Sequence, residues 1–122
     1  MRLSGMKSVV LVVLGAACNL NGTRVGGSGG ILTPPPNGVY MQDLTFDPDN
    51  LTVAVGTTVT WTNKDVYTHT VIYSSGPDSA FSDTVVVGAS FQHTFKTAGT
   101  YQYYCGIHGT PTTGMHATIV AQ

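Results

Sequence analysis

The sequence predicts an all-β sandwich. Three observations carry that expectation: an abundance of Val, Thr, Tyr and Gly, which suits a pleated sheet with tight turns; apolar and polar residues alternating with period two; and Gly, Pro, Asp and Asn breaking the runs at short intervals. With 122 residues the chain is long enough for one ordinary domain and too short for two.

Three regions follow in order. At the start, Arg2 and Lys7 precede the apolar run Val9 to Leu14, then Gly15-Ala16-Ala17 and Cys18, the layout of an export signal over residues 1–17. The run falls short of the ~20 apolar residues that a membrane-spanning helix needs, so this segment is expected to be removed. A Cys directly after small residues resembles the lipobox of bacterial lipoproteins, although Gly15 stands where Leu is usual and Leu14 lies one position earlier. That resemblance implies a lipid anchor on Cys18, which would tether the protein to a membrane in the periplasm or cell envelope. Plain secretion with cleavage near Ala17 is the alternative. Residues 18–37 carry Gly26-Gly27-Ser28-Gly29-Gly30 and then Pro34-Pro35-Pro36 without periodic apolar positions, a tether of about 25 Å reach by random-coil scaling.

Residues 38–122 form the domain. The first strand is expected over Val39 to Phe46. Leu51, Val53 and Val55 share one parity, and after Gly56 so do Val59 and Trp61, with threonines between them; these two runs are expected to pair as a hairpin. Further strands are predicted at Thr68 to Tyr73, Thr84 to Val87, Ser90 to Phe95, Thr100 to Cys105 and Ala117 to Val120, the pattern of a sandwich.

Charged residues are only 9% of the chain and the net charge is −1, which leaves no basic surface for nucleic acid. Without the export segment, Arg24, Lys64 and Lys96 face six Asp, a net −3, so long-range electrostatic steering is modest.

Cys105 ends a strand, and His108 follows after Gly106 and Ile107, a spacing from which a thiolate and an imidazole reach one ion. His69 sits on an earlier strand, and Met115 closes the loop after His108. Two imidazoles, a thiolate and a thioether form a copper set. Soft sulfur ligands select copper, and a plane of two His and one Cys with a weak axial Met is the arrangement of blue-copper electron-transfer sites. Zinc usually brings more Cys or His, or a carboxylate. A disulfide between Cys105 and Cys18 is the competing reading, weakened because it would tie the core to a Gly-rich tether. Parity turns Cys105 inward with Tyr103 and Tyr101, and Met115 inward with Ala117 and Ile119, while His116 faces away. His93 shares parity with Phe91 and Phe95, which makes it a hydrogen-bonded core residue or part of a strand edge, not a ligand; Met41 is expected to pack.

Together, Trp61-Thr62-Asn63, His69-Thr70-Val71, Tyr103-Tyr104-Cys105-Gly106-Ile107-His108 and Gly114-Met115 resemble the plastocyanin branch of the cupredoxins over Val39 to Ala121. Plastocyanins place four residues between the second His and the Met; here six intervene, Gly109 to Gly114. The resemblance implies a Greek-key sandwich holding one type 1 copper ion through His69, Cys105, His108 and Met115. It places Thr70 and Asn63 in support of the ligands, with the Thr70 backbone serving the Cys105 sulfur. His108 would reach the surface in a small apolar patch with Ile107, Gly109 and Pro111, where redox proteins dock. Tyr104 matches a surface tyrosine on a second electron route, or is an ordinary exposed aromatic. The expected function is a monomeric one-electron carrier and not an enzyme, since copper oxidases and reductases need further copper sites and domains. Copper delivery, storage or sensing is the alternative.

Overall fold

A computed structural model describes residues 32–122. The export segment, Cys18 and most of the tether lie outside the described residues. The described chain folds into nine strands: β1 (Gly38–Gln42), β2 (Thr45–Asp47), β3 (Asn50–Val53), β4 (Thr58–Asn63), β5 (His69–Ser75), β6 (Ser82–Val85), β7 (Ser90–Thr94), β8 (Gly99–Gly109) and β9 (Gly114–Ala121). Four form one sheet in the order β2-β1-β4-β7, and five form the other in the order β3-β9-β8-β5-β6. β1 runs parallel to β4 and β3 parallel to β9, so the chain repeatedly crosses between sheets instead of meandering within one. This is the Greek-key sandwich expected from the sequence.

Alternation builds the core. Val39, Met41, Val59 and Trp61 from the first sheet are fully buried, as are Val71, Tyr101, Tyr103 and Ile119 from the second. Trp61 packs among Phe81, Phe91, Phe95 and Tyr103, the last edge-on at 5.4 Å between ring centroids. Met41 packs as expected.

Three local expectations are corrected. The runs before and after Gly56 do not form a hairpin: β3 pairs with β9 and β4 with β1 and β7, in opposite sheets. Gly56, at φ 92°, donates its N–H to Phe95 O and turns the chain from one sheet to the other, leaving Val55 exposed. Period-two alternation marks an inner face but not which sheet owns it. The strand expected over Val39 to Phe46 is two strands, because Asp43 and Leu44 take φ 54° and 58° and reverse the chain. The strand expected at Thr84 to Val87 lies at Ser82–Val85, and Val86 and Val87 are exposed at the turn before Gly88, whose φ is 83°.

Candidate metal centre

Four segments meet at one end of the sandwich: the end of β4 with the loop after it, the start of β5, the end of β8 and the start of β9. His69 opens β5 and Cys105 lies on the inward parity of β8; both are fully buried. Cys105 is a free thiol. Beyond Tyr104 the regular pairing of β8 with β9 lapses until Gly109 meets Gly114, and His108 stands half-buried in that gap.

The donors converge. Cys105 Sγ lies 3.7 Å from His69 Nδ1 and 3.6 Å from His108 Nδ1, and the two Nδ1 atoms are 3.1 Å apart. Bonds of about 2.0 Å to nitrogen and 2.3 Å to sulfur, the values for zinc, set neighbouring ligands roughly 3–4 Å apart around one ion. The three residues therefore fit a single metal held by two nitrogens and one sulfur. Both imidazoles present the same nitrogen, so Nε2 of each lies on the far edge of its ring.

For His69 that far edge is occupied: Nε2 is 3.1 Å from Asp65 Oδ2. An ionised carboxylate only accepts, so the ring proton belongs on Nε2 and the Nδ1 lone pair faces the cluster. Burial holds His69 below the ordinary imidazole range, against the Asp65 carboxylate, which raises it; His108 adds to the lowering. Burial pulls Asp65 upward, but the N–H groups of Leu44 and Val66, together with His69, outweigh it and keep the carboxyl below its usual range.

Thr70 and Asn63, expected to support the ligands, make these contacts. Thr70 N–H donates to Cys105 Sγ at 3.4 Å, and its hydroxyl accepts Gly106 N–H at 2.7 Å. Buried Asn63 donates to Tyr67 O and Val85 O at 2.7 and 2.8 Å and accepts Asp65 N–H, stapling the loop between β4 and β5.

Met115 begins β9 and is almost fully buried. The six-residue loop before it is tightly closed. Gly109 pairs with Gly114, and Thr110 N–H donates to Thr113 O, so the insertion closes as a compact turn. A Cβ on Gly114, at φ 71°, would lie 2.7 Å from His108 O, and one on Gly109 would lie 2.5 Å from Met115 N. Only glycines allow the chain at His108 and the chain at Met115 to run this close.

Ile107 is exposed, as expected of the patch beside His108, and so are Gly109's neighbours Thr110 and Pro111. Tyr67 adds an aromatic ring 6.0 Å from that of His108, and the adjoining Val66 is 77% exposed. Tyr104 is half-buried and His116 exposed. His93 lies on the edge strand β7, stacked 4.4 Å from Phe81 and outside the cluster; it is part of a strand edge, and its Nε2 has no hydrogen-bond partner. Sequence reasoning missed Asp65, Val66 and Tyr67. The available signal for Asp65 was a carboxylate four residues before a candidate ligand.

Comparison with known proteins bears on this end of the molecule. Residues 36–122 match the family described as copper binding proteins, plastocyanin/azurin family. Plastocyanin of Scenedesmus fuscus is 33% identical over 88 residues, covering 65% of this chain and 88% of its own. Amicyanin of Paracoccus denitrificans is 32% identical over 73 residues, 57% of this chain and 56% of its own. Among solved structures, a purple cupredoxin from Nitrosopumilus maritimus aligns with a TM-score of 0.60 at 27% identity, over 70% of this chain and 98% of its own.

Proposed function

Because this chain belongs to the plastocyanin/azurin family of copper-binding proteins, we propose that it carries single electrons in the cell envelope, with His69, Cys105, His108 and Met115 as the ligands of one type 1 copper ion. Copper is the family's cofactor, and bound here it supplies a one-electron couple between Cu(I) and Cu(II). The observation that carries the reading is the cluster of buried Cys105 Sγ and His69 Nδ1 with half-buried His108 Nδ1, 3.1–3.7 Å apart.

The residues divide the work. Cys105 and His69 sit inside a packed sandwich, which holds their spacing while charge comes and goes. The Thr70 N–H stabilises negative charge on Cys105 Sγ. Burial of Met115 keeps its thioether, a soft and weak donor, out of water. His108 reaches from the cluster toward solvent, and its outer edge, with Ile107 and Tyr67, is the route between partner and thiolate. Weak electron-transfer encounters bury less than ~1,200 Å², and this uncharged patch suits such a contact. Turnover of a substrate is not part of this function.

Export follows from residues 1–17, and a lipid on Cys18 would hold the domain, residues 38–122, on a tether within reach of membrane-bound redox partners. The family match begins at residue 36, where the Pro-rich end of that tether meets the domain. Mass spectrometry of the envelope protein should show a diacylglyceryl group on Cys18. The test of function is voltammetry of the copper-loaded protein: a fast, reversible one-electron wave stable over many cycles is expected. Rapid transfer of copper to a Cu(I) chelator on reduction would make the protein a delivery module instead.

A further inference from the structure

One carboxylate oxygen serves two parts of the molecule. Asp65 Oδ2 faces His69 Nε2 at 3.1 Å and also accepts the Leu44 N–H at 3.0 Å. The other oxygen accepts Val66 N–H at 2.8 Å, so hydrogen bonds hold both carboxylate oxygens, and Asp65 N–H donates to the buried Asn63 at 2.9 Å, which holds the backbone beneath them. It is only 10% exposed.

The Leu44 end of this arrangement is unusual. Asp43 and Leu44 both occupy the left-handed region, at φ 54° and 58°, which a bulky side chain such as Leu rarely adopts. Leu44 is exposed, so no core packing holds the turn in that shape. The β1–β2 pairing of Gln42 with Thr45 and the Thr45 hydroxyl bond to Gln42 O close the turn, and the Leu44 N–H hydrogen bond to Asp65 ties it to the loop after β4. At the His69 end the same oxygen requires a proton on Nε2, which leaves Nδ1 as a lone pair turned toward Cys105 and His108.

We propose that Asp65 is a positioning residue that locks His69 as the Nε2–H tautomer and joins the exposed Asp43–Leu44 turn to it through one shared oxygen. The ring is then held on the edge opposite the metal by a group that is itself fixed from three directions. A carboxylate behind a ligating imidazole also raises its basicity, which favours the more highly charged oxidation state of a bound ion. The link to potential rests on the copper reading; the tautomer and the shared oxygen do not.

The experiment compares the parent with Asp65→Asn, which keeps size and one acceptor but removes the charge. In the apo-protein, nitrogen-15 NMR should find His69 protonated on Nε2 with slow exchange. In Asp65→Asn both that proton and the Leu44 amide should exchange about tenfold faster, the difference between a charged and a neutral acceptor. Copper-loaded Asp65→Asn should keep the parent's absorption band but show a raised reduction potential, a readout that simple loosening of the loop would not move in a fixed direction. An Nδ1–H tautomer in the parent apo-protein would overturn the proposal, as would exchange rates and potential unchanged in the variant. If the parent failed to take up copper at all, the carrier reading would fall while the apo-protein spectra still decided the role of Asp65.

Discussion

The backbone N–H of Thr70 points at Cys105 Sγ from 3.4 Å, and the same residue's hydroxyl accepts the N–H of Gly106 at 2.7 Å. One residue of β5 thus holds both the sulfur and the chain that leaves it. Thr70→Val keeps the backbone contact and removes the hydroxyl's bond to Gly106 together with its longer 3.8 Å contact to Cys105 Sγ. It is predicted to lower stability by about 1 kcal/mol while leaving the thiolate-to-copper absorption in place, measured by urea denaturation and a visible spectrum.

Met115 tests whether the inserted loop residues leave the fourth ligand in its role. Met115→Leu preserves apolar volume, so stability should change by less than ~1.5 kcal/mol. Loss of the thioether should nevertheless alter the copper spectrum and raise the potential. An unchanged spectrum and potential would remove Met115 from the ligand set.

Ile119 lies on the inward parity of β9, fully buried, opposite Tyr101. Ile119→Ala is expected to cost about 2–5 kcal/mol through lost burial and the cavity left behind. Because it touches packing and not the ligands, copper-loaded protein that remains folded should keep the parent spectrum. Thermal unfolding and absorbance measured on the same sample check both parts.

His93 predicts a pH dependence remote from the metal. Burial against Phe81 and Phe95 holds it below the ordinary imidazole value of 6.5, with Asp78 opposing and Lys96 reinforcing the shift. The unfolded chain therefore binds a proton at higher pH than the folded one. Stability is fully present above about pH 6.5 and declines as pH falls through the lowered folded value. His69 shifts in the same direction. Apo-protein melts between about pH 7.5 and 5 should show the decline, and His93→Gln should make it shallower.

Much of the site was legible because strand parity is local. Placing Cys105 inward with Tyr103, Met115 inward with Ala117, and His116 outward needs only the two-residue period, and burial follows that order along β8 and β9. The hairpin expected around Gly56 failed because alternation is identical whether a strand pairs with its neighbour or crosses to the other sheet. Asp65 escaped notice for a related reason. Its role depends on Leu44, 21 residues earlier, folding back to share the carboxylate with His69. The turn that brings Leu44 there uses left-handed backbone at Asp43, which tolerates it, and at Leu44, which rarely adopts it, so Asp43 was the only local residue signal for the break between β1 and β2.

Cys105, His69 and His108 are proposed to bind one copper ion as a thiolate-centred redox site. The most direct test is the visible and EPR spectrum of the purified domain after one equivalent of Cu(II), with Cys105→Ser beside it. An intense blue, green or purple thiolate-to-copper band with narrow copper hyperfine splitting, absent from Cys105→Ser, is the predicted result. A colourless parent, or a spectrum that Cys105→Ser leaves intact, would contradict it.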